Sequence, residues 1–346
     1  MSNKKESFPV VDLKGTPEEI GLRHGELLEK RIRGLIGFFQ DLILKNDVDI
    51  DREKPLLETA GYKFRQYISE FSSDYVKEID AIAKGAGVDA RLIYALNARS
   101  EIISWLANEC TAVYFRNSRI LGQNWDWARE MEELAVVLRI EHEDGHRVLT
   151  VTQPGIIGKI GLNSSGLGVC ENSLNCGKKL YGLPLHVLLR AVLDSKSISE
   201  AKARIKKAGL GRAGNFLVAD ANGNYMDIEF ACEEVLNLDN SEEIFVHTNH
   251  YIGKDMNERN EHENSFVRLE RAKEIAKSIE GQKIEDMKRI LLDKESKKFP
   301  ICRPYVSDPH IGTMGTVCSI IMDLQKLEMS VTDGNPLENE FRAIKV

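Results

Sequence analysis

The chain has 346 residues, 42% hydrophobic and 29% charged, with a formal net charge of −7. That length suits one large domain or two modest ones with a buried core, and the composition is that of an ordinary soluble globular protein. The negative balance and the lack of a basic block with interleaved aromatics exclude a nucleic-acid groove or an anionic membrane surface as the expected partner; no apolar run approaches the ~18 residues of a membrane span.

The opening MSNKKESFPVVDLKG is polar and turns into a short strand over residues 8–13. It lacks the apolar core of a secretory signal, so a cytoplasmic location is expected. Thr16, Pro17 and Glu19 form a helix start: N-cap, proline at the first position, and glutamate at the capping-box spacing. Ile20, Leu27, Leu28, Ile32, Leu35, Ile36 and Phe39 give that helix a broad apolar face. His24 lies within it and reads as structural. Helices are predicted over 54–71, 74–86 (closed by Gly85 and Gly87) and 91–103, so the first 109 residues are mostly helical.

At Cys110 the character changes to strands. An alternating run over 111–115, a polar turn over 116–119 and a second run into Gly122-Gln123-Asn124-Trp125-Asp126-Trp127 read as a hairpin. It returns Asp126 to the neighbourhood of Cys110, bringing a carboxylate and an amide beside a thiol.

Strands over 134–140 and 147–152 flank Asp144-Gly145, a hairpin signal. His142 and His146 sit at that turn. Their spacing suits a metal only on a helix, so they read as a solvated turn. Strands over 156–162 and 166–171 flank Asn163-Ser164-Ser165, and helices follow over 184–193 and 199–208. Strands over 215–219 and 224–230 flank Asn222-Gly223. A strand over 244–247 ends in Thr248-Asn249-His250, where His247 and His250 diverge and give no metal pair. Amphipathic helices over 265–279 and 284–292 precede closing strands over 316–322 and 326–332. Contiguous blocks of helices and strands predict α+β layers rather than a doubly wound sheet. The six cysteines show no CxxC pair, which suggests neither a zinc site nor a disulfide framework and leaves most of them as small buried hydrophobes. With no P-loop or dinucleotide fingerprint, no bound cofactor is expected.

Six segments carry a family resemblance in the expected order. They are GTPEEIGLRHGE, EIDAIAKGAGVDARLIYALNARSE, CTAVYF…LGQNWDW, GIIGKIGLNSSGLGV, VHTNH at 246–250 and ICRPY at 301–305. Together they resemble the isopenicillin N / acyl-CoA:6-aminopenicillanic acid acyltransferase family, peptidase family C45, whose members are autoprocessing cysteine N-terminal-nucleophile (Ntn) hydrolases. The resemblance implies a four-layer αββα sandwich with an N-terminal, mostly helical segment. It implies self-cleavage between Glu109 and Cys110, giving fragments 1–109 and 110–346 that stay associated as one globular unit. Cys110 then attacks an acyl carbonyl and forms a thioester. Its freed α-amine, with an ordinary pKa of about 7.7–8.0, serves as the base, so no partner histidine is needed.

By matched position, Asn249 is implied as an oxyanion donor with a backbone N–H as the second donor. Asp126 is implied to orient the α-ammonium or assist self-cleavage. Arg303 is implied to lie near the thiol, lower its pKa and face substrate charge. Gln123 and Asn124 are expected to hold the Asp126 strand. Taken singly these are a core cysteine, a structural carboxylate, a turn amide and a surface arginine; as an ordered set they favour a site. The substrate expected is an N-acylated small amine or amino acid, cleaved by water. The alternative is N-acyl transfer with acyl-CoA as substrate, and neither a homo-oligomer nor a monomer is favoured. One departure stands out: Glu109 replaces the family's glycine before the nucleophile, where glycine eases the strained backbone of an acyl shift. That keeps a further alternative open, an unprocessed, non-catalytic homologue that binds acylated small molecules.

Overall fold

The computed structural model describes residues 8–46, 50–104, 106, 109–178, 180–238, 241–254 and 263–346; the first seven residues and Asn108 lie outside this set. Strand β1 (Val10–Gly15) leads into helices α1 (Pro17–Lys45), α2 (Ile50–Phe71), α3 (Ser73–Ala86), α4 (Ala90–Asn97) and α5 (Arg99–Ile102). Then come β2 (Glu109–Phe115), β3 (Ile120–Ala128), α6 (Met131–Leu134), β4 (Val136–His142), β5 (Arg147–Thr152), β6 (Ile160–Asn163) and β7 (Leu167–Asn172). Next are α7 (Leu185–Leu193), α8 (Ile198–Ala208), β8 (Ala213–Asp220), β9 (Tyr225–Ala231), β10 (Val235–Asn237) and β11 (Ile244–His247). The chain closes with α9 (Glu263–Ala276), α10 (Ile284–Leu291), β12 (Val306–Asp308), β13 (Gly312–Asp323), β14 (Glu328–Thr332) and β15 (Phe341–Lys345).

The strands form two sheets. One runs β1-β4-β5-β6-β7-β8-β9-β10; the other runs β11-β2-β3-β13-β14-β15, with β12 on β13. Helices α7 and α8 pack on the first sheet, β7 of that sheet packs on β2 and β3 of the second, and α9 and α10 cover the second sheet's far side. The order is therefore α, β, β, α, the four-layer sandwich expected. Alternation along β2 shows why. Cys110, Ala112 and Tyr114 join the large core between the sheets, whereas Val113 and Phe115 join a second core with Leu269, Met287, Ile290 and Leu291 of α9 and α10.

The helical N-terminal segment is tied to the sheets by specific bonds. Thr16 and Glu19 form the predicted capping box of α1. Gly25 lets α1 press against α3, since a Cβ there would collide with the Ile82 carbonyl. His24 is fully buried and its Nε2 accepts from the Gly155 N–H at 2.9 Å. Burial pushes its pKa down to about 3, so the imidazole is a neutral structural acceptor. β1 adds a parallel edge strand to β4.

Several expectations are corrected. The helix predicted over 91–103 breaks at Ala98 into α4 and α5. Of the strand predicted over 156–162 only β6 is regular, because Gly155 turns the backbone at φ +85° just upstream. Strands β10, β12 and β15 are additional; they are short and lack a run of alternating apolar residues. The turn at His142 and His146 is not simply solvated. His146 is buried and its Nε2 meets the Leu193 carbonyl at 3.0 Å, while His142 Nε2 meets Asp194 at 3.0 Å. One disulfide is present where none was expected, Cys176–Cys232, closing a separation of 56 residues. Sequence spacing hid it because strand pairing, β7 on β8 and β8 on β9, is what brings the two segments together.

Candidate active site

The hairpin is formed as its sequence suggests, and its register organises the site. Glu109 faces Asp126, and Cys110 faces Trp125. Cys110 is thus on the face toward the other sheet, with Trp125 and Trp127. Glu109, Thr111 and Asp126 are on the face toward α9 and α10. β2 runs unbroken through the Glu109–Cys110 peptide.

On its other edge β2 pairs with β11, but that ladder ends at His247 opposite Ala112. Beyond it the side chain of Asn249 takes over. Its Oδ1 accepts from the Cys110 backbone N–H at 2.6 Å, and its Nδ2 donates to the Ser173 carbonyl at 3.0 Å. The Asn249 N–H donates to Ser265 Oγ at 2.7 Å, which fixes the loop to α9. Arg268 of α9 completes the cradle. Its guanidinium donates to the Cys110 carbonyl at 2.6 Å, to Thr111 Oγ1 at 3.0 Å and to Asn249 Oδ1 at 3.0 Å, while the residue is only 1% exposed.

Across the strand, Asp126 is fully buried, and among the described residues its carboxylate oxygens make no well-formed hydrogen bond. Burial pushes its pKa up to about 7; the charge of Arg268 and the Thr316 hydroxyl offset only part of that. Arg303 is locked to the same place by its backbone, which exchanges bonds with Thr316 at 2.8 and 3.0 Å. Its guanidinium forms a partly buried ion pair with Glu109. Asn335 also donates to the Arg303 carbonyl at 2.9 Å.

The thiol side carries a different set of charges. Lys159, 1% exposed, lies over the Trp125 ring at 4.7 Å and 3.5 Å from Glu171. Gln123 holds Glu171 through a pair of backbone bonds, one of them 2.9 Å. Arg99 lies over Trp127 at 5.7 Å. Burial pushes the Cys110 thiol up to about 12, opposed chiefly by the Lys159 charge. In the unbroken chain the sulfur is therefore held as a neutral thiol.

The model of the acyl-coenzyme A:6-aminopenicillanic acid acyl-transferase family matches residues 115–338. The 40 kDa form of acyl-coenzyme A:6-aminopenicillanic-acid-acyltransferase from Emericella nidulans is 31% identical over 340 residues, covering 94% of this chain and 92% of that protein. The chain belongs to this acyltransferase family. Among solved structures, it is similar to a variant of conjugated bile acid hydrolase from Clostridium perfringens, with a TM-score of 0.47, 13% identity, and coverage of 68% of this chain and 92% of that one. It is also similar to the Caenorhabditis elegans ortholog of N-acylethanolamine-hydrolyzing acid amidase, with a TM-score of 0.44, 13% identity, and coverage of 63% and 93%.

Of the four expected site residues of this acyltransferase-family chain, Cys110, Asn249 and Asp126 surround the 109–110 junction. Arg303 reaches it through Glu109, on the face opposite the thiol. Gln123 and Asn124 anchor their strand in opposite directions, Gln123 to β7 and Asn124 to the Leu291 and Ile301 carbonyls at 2.7 and 3.1 Å. His247 is spent on Glu229 at 2.9 Å and His250 on Ser265 at 2.8 Å. Three residues escaped the sequence reading. Arg268 looks like any charge on an amphipathic helix. Arg99 looks like a helix-surface arginine. Lys159 did carry a signal, since it interrupts the apolar run GIIGKIGL. Among the described residues no cluster of His, Cys, Asp and Glu is built to hold a metal, and no helix is long and apolar enough to cross a membrane.

Proposed function

We propose that this chain is an autoprocessing cysteine Ntn enzyme that cleaves, or transfers, the acyl group of an N-acylated small amine or amino acid through a thioester on Cys110. Membership of an acyltransferase family supports the reaction class. The observation that carries the reading is the bond from the Cys110 nitrogen to Asn249 Oδ1. A carbonyl acceptor holds an amide N–H in the uncut chain and an α-ammonium in the cut one, so one side chain suits both states.

In the proposed self-cleavage, the Cys110 sulfur attacks the Glu109 carbonyl, the C–N bond breaks, and the thiol proton passes to the departing Cys110 nitrogen. Water then hydrolyses the thioester, leaving fragments 1–109 and 110–346. Asp126, with a pKa near neutrality, is suited to hold and return a proton at this junction. In turnover, the freed α-amine takes the thiol proton and delivers it to the leaving amine. Water resolves the thioester in the amidohydrolase reading, and an amine resolves it in the N-acyltransferase reading, where acyl-CoA is the donor. Asn249 is assigned to the oxyanion through Nδ2, and Arg303 to substrate charge once Glu109 has left.

A second reading has its own support. The Glu109–Arg303 pair braces the junction within a strand, as an unprocessed, non-catalytic binding homologue would need. Intact mass under denaturing conditions separates the two. Two chains broken between Glu109 and Cys110 are expected; a single chain of 39.0 kDa, with Glu109→Gly equally whole, favours the binding homologue.

A further inference from the structure

One face of α9 grips the nucleophile strand. Ser265 and Arg268 lie one turn apart and both turn toward β2 and the Asn249 loop. Asn264 Oδ1 accepts from Arg268 Nε at 2.7 Å and so sets the plane of the guanidinium. Nη1 then reaches the Cys110 carbonyl and Thr111 Oγ1, and Nη2 reaches Asn249 Oδ1. All of these acceptors are neutral oxygens. Among the described residues no carboxylate forms an ion pair with Arg268, and Asp126 feels its charge without bonding to it. A buried cation left uncompensated in this way is expensive.

Asn249 Oδ1 is shared by two donors, Arg268 Nη2 at 3.0 Å and the Cys110 N–H at 2.6 Å. A guanidinium only donates, so it tolerates one orientation of the amide, with Oδ1 toward residue 110 and Nδ2 toward the Ser173 carbonyl. That orientation matters once the proposed cut has made an α-amine. Its lone pair must take the thiol proton. With Oδ1 in place, the amide binds an amine N–H and leaves the lone pair open. Turned over, the amide would donate from Nδ2 to the lone pair and block the base. The Ser173 carbonyl favours the same orientation, but Nδ2 is assigned to the oxyanion in turnover, so the hold on Oδ1 is the one that persists. The shared acceptor also puts the guanidinium within roughly 6 Å of the Cys110 nitrogen, close enough for a like charge to disfavour an ammonium.

We propose that Arg268 is the positioning residue of the Cys110 α-amine: it fixes the Asn249 amide so that the amine's lone pair faces the thiol, and its charge favours the unprotonated amine. The proposal rests on the reading that the 109–110 bond is cut and that the freed amine is the base. The thiol proton moves from sulfur to the α-nitrogen, and the guanidinium stays protonated throughout. Other charges surround residue 110: Asp126 on β3, the Glu109–Arg303 pair, and on the thiol side Lys159, Glu171 and Arg99. His247 and His250 are tied to Glu229 and Ser265, and the buried thiols of Cys170 and Cys318 are neutral. All of these groups are common to the variants below, so a difference between variants reports the guanidinium.

Intact mass first establishes that each protein is cut. The α-amine is then titrated through the carbon-13 shifts of cysteine-labelled protein, which needs no substrate. Acylation of the thiol by p-nitrophenyl acetate at neutral pH is followed beside it, with Cys110→Ala as the blank. Arg268→Gln is expected to raise the α-amine pKa by about one unit and to slow acylation about 10- to 100-fold. Arg268→Lys keeps the charge but cannot span the same acceptors, so the titration is expected to stay in place while acylation falls about tenfold. An arginine that only braced the fold would leave the titration unmoved in both. Circular dichroism and thermal melts check folding. In folded, cut Arg268→Gln, an unmoved titration or acylation within about threefold of the unaltered protein overturns the proposal. Should that variant not fold, Arg268→Lys decides, and acylation within about threefold overturns it. A folded variant that stays whole while the unaltered chain is cut places Arg268 in the cut itself and overturns its assignment to the amine. These results leave the processing reading standing; an unaltered chain that is never cut removes that reading and the proposal with it.

Discussion

The two faces of the β2–β3 ribbon carry opposite kinds of chemistry within one residue of each other. Toward the other sheet lie a neutral thiol, two tryptophans and two buried cations, Lys159 and Arg99. Toward α9 and α10 lie two carboxylates, Glu109 and Asp126, with the guanidinium groups of Arg268 and Arg303. The period of two along a strand makes this separation possible, because neighbours in sequence must point apart. In the proposed mechanism, one face receives the acyl group while the other holds the peptide bond before Cys110. The backbone separates Asp126 from the thiol, yet its charge still raises the thiol pKa, as does that of Glu171 on the thiol's own side.

That contrast can be broken from either side. The largest effect is expected on the thiol face. Cys110→Ala removes the nucleophile, and both self-cleavage and turnover should fall about 10³-fold or more, read by intact mass and by amide hydrolysis. A variant that still turns over at the original rate ends the assignment. On the opposite face, Arg268→Ala orphans the Cys110 carbonyl, Thr111 and Asn249 in a buried place. Chemical denaturation should show a loss of about 3–5 kcal/mol, and Arg268→Lys should recover only part, since an ammonium cannot span all three acceptors.

Asp126 sharpens the comparison through pH. Its carboxyl titrates at about 7 in the folded chain against an ordinary 3.8, so the native state keeps a proton that the unfolded chain releases. Its contribution to stability is full below about pH 4 and is lost as pH rises through about 7, amounting to roughly a few kcal/mol. Asp126→Asn should flatten that slope and be the more stable protein at pH 8; an unchanged slope would show that the carboxyl titrates normally. The smallest effect is expected at Lys159. Replacing it with methionine takes away the main influence lowering the thiol pKa, and the pH profile of Cys110 alkylation should shift upward.

The sequence was most legible where local pattern and final structure share a cause. Thr16 and Glu19 announce their cap by spacing alone. The alternation through Cys110 to Phe115 announces both a strand and the split between its two cores. The αββα order followed from a resemblance resting on residues now seen at structural joints, such as Gly25 between α1 and α3 and His24 against Gly155. What stayed hidden depends on tertiary neighbours. Arg268 and Arg99 carry no signal in the sequence, because helix periodicity says nothing of what packs above a residue. The Cys176–Cys232 bond needs the β7-β8-β9 pairing before its halves are close. Arg303 was expected beside the thiol, and its meeting with Glu109 depends on a strand register that no motif encodes.

The disulfide also bears on how the proposed fragments would hold together. All six cysteines lie at or beyond position 110, so both ends of the crosslink belong to fragment 110–346. Once the 109–110 bond is cut, nothing covalent retains fragment 1–109. It is kept by the β1–β4 ladder, the His24–Gly155 bond and the buried Glu78–Arg190 pair. If the proposed cut takes place, the protein is a heterodimer of two fragments of one chain. In that case denaturing gels are expected to separate the pieces without reductant, and the association of the two fragments depends on their concentration.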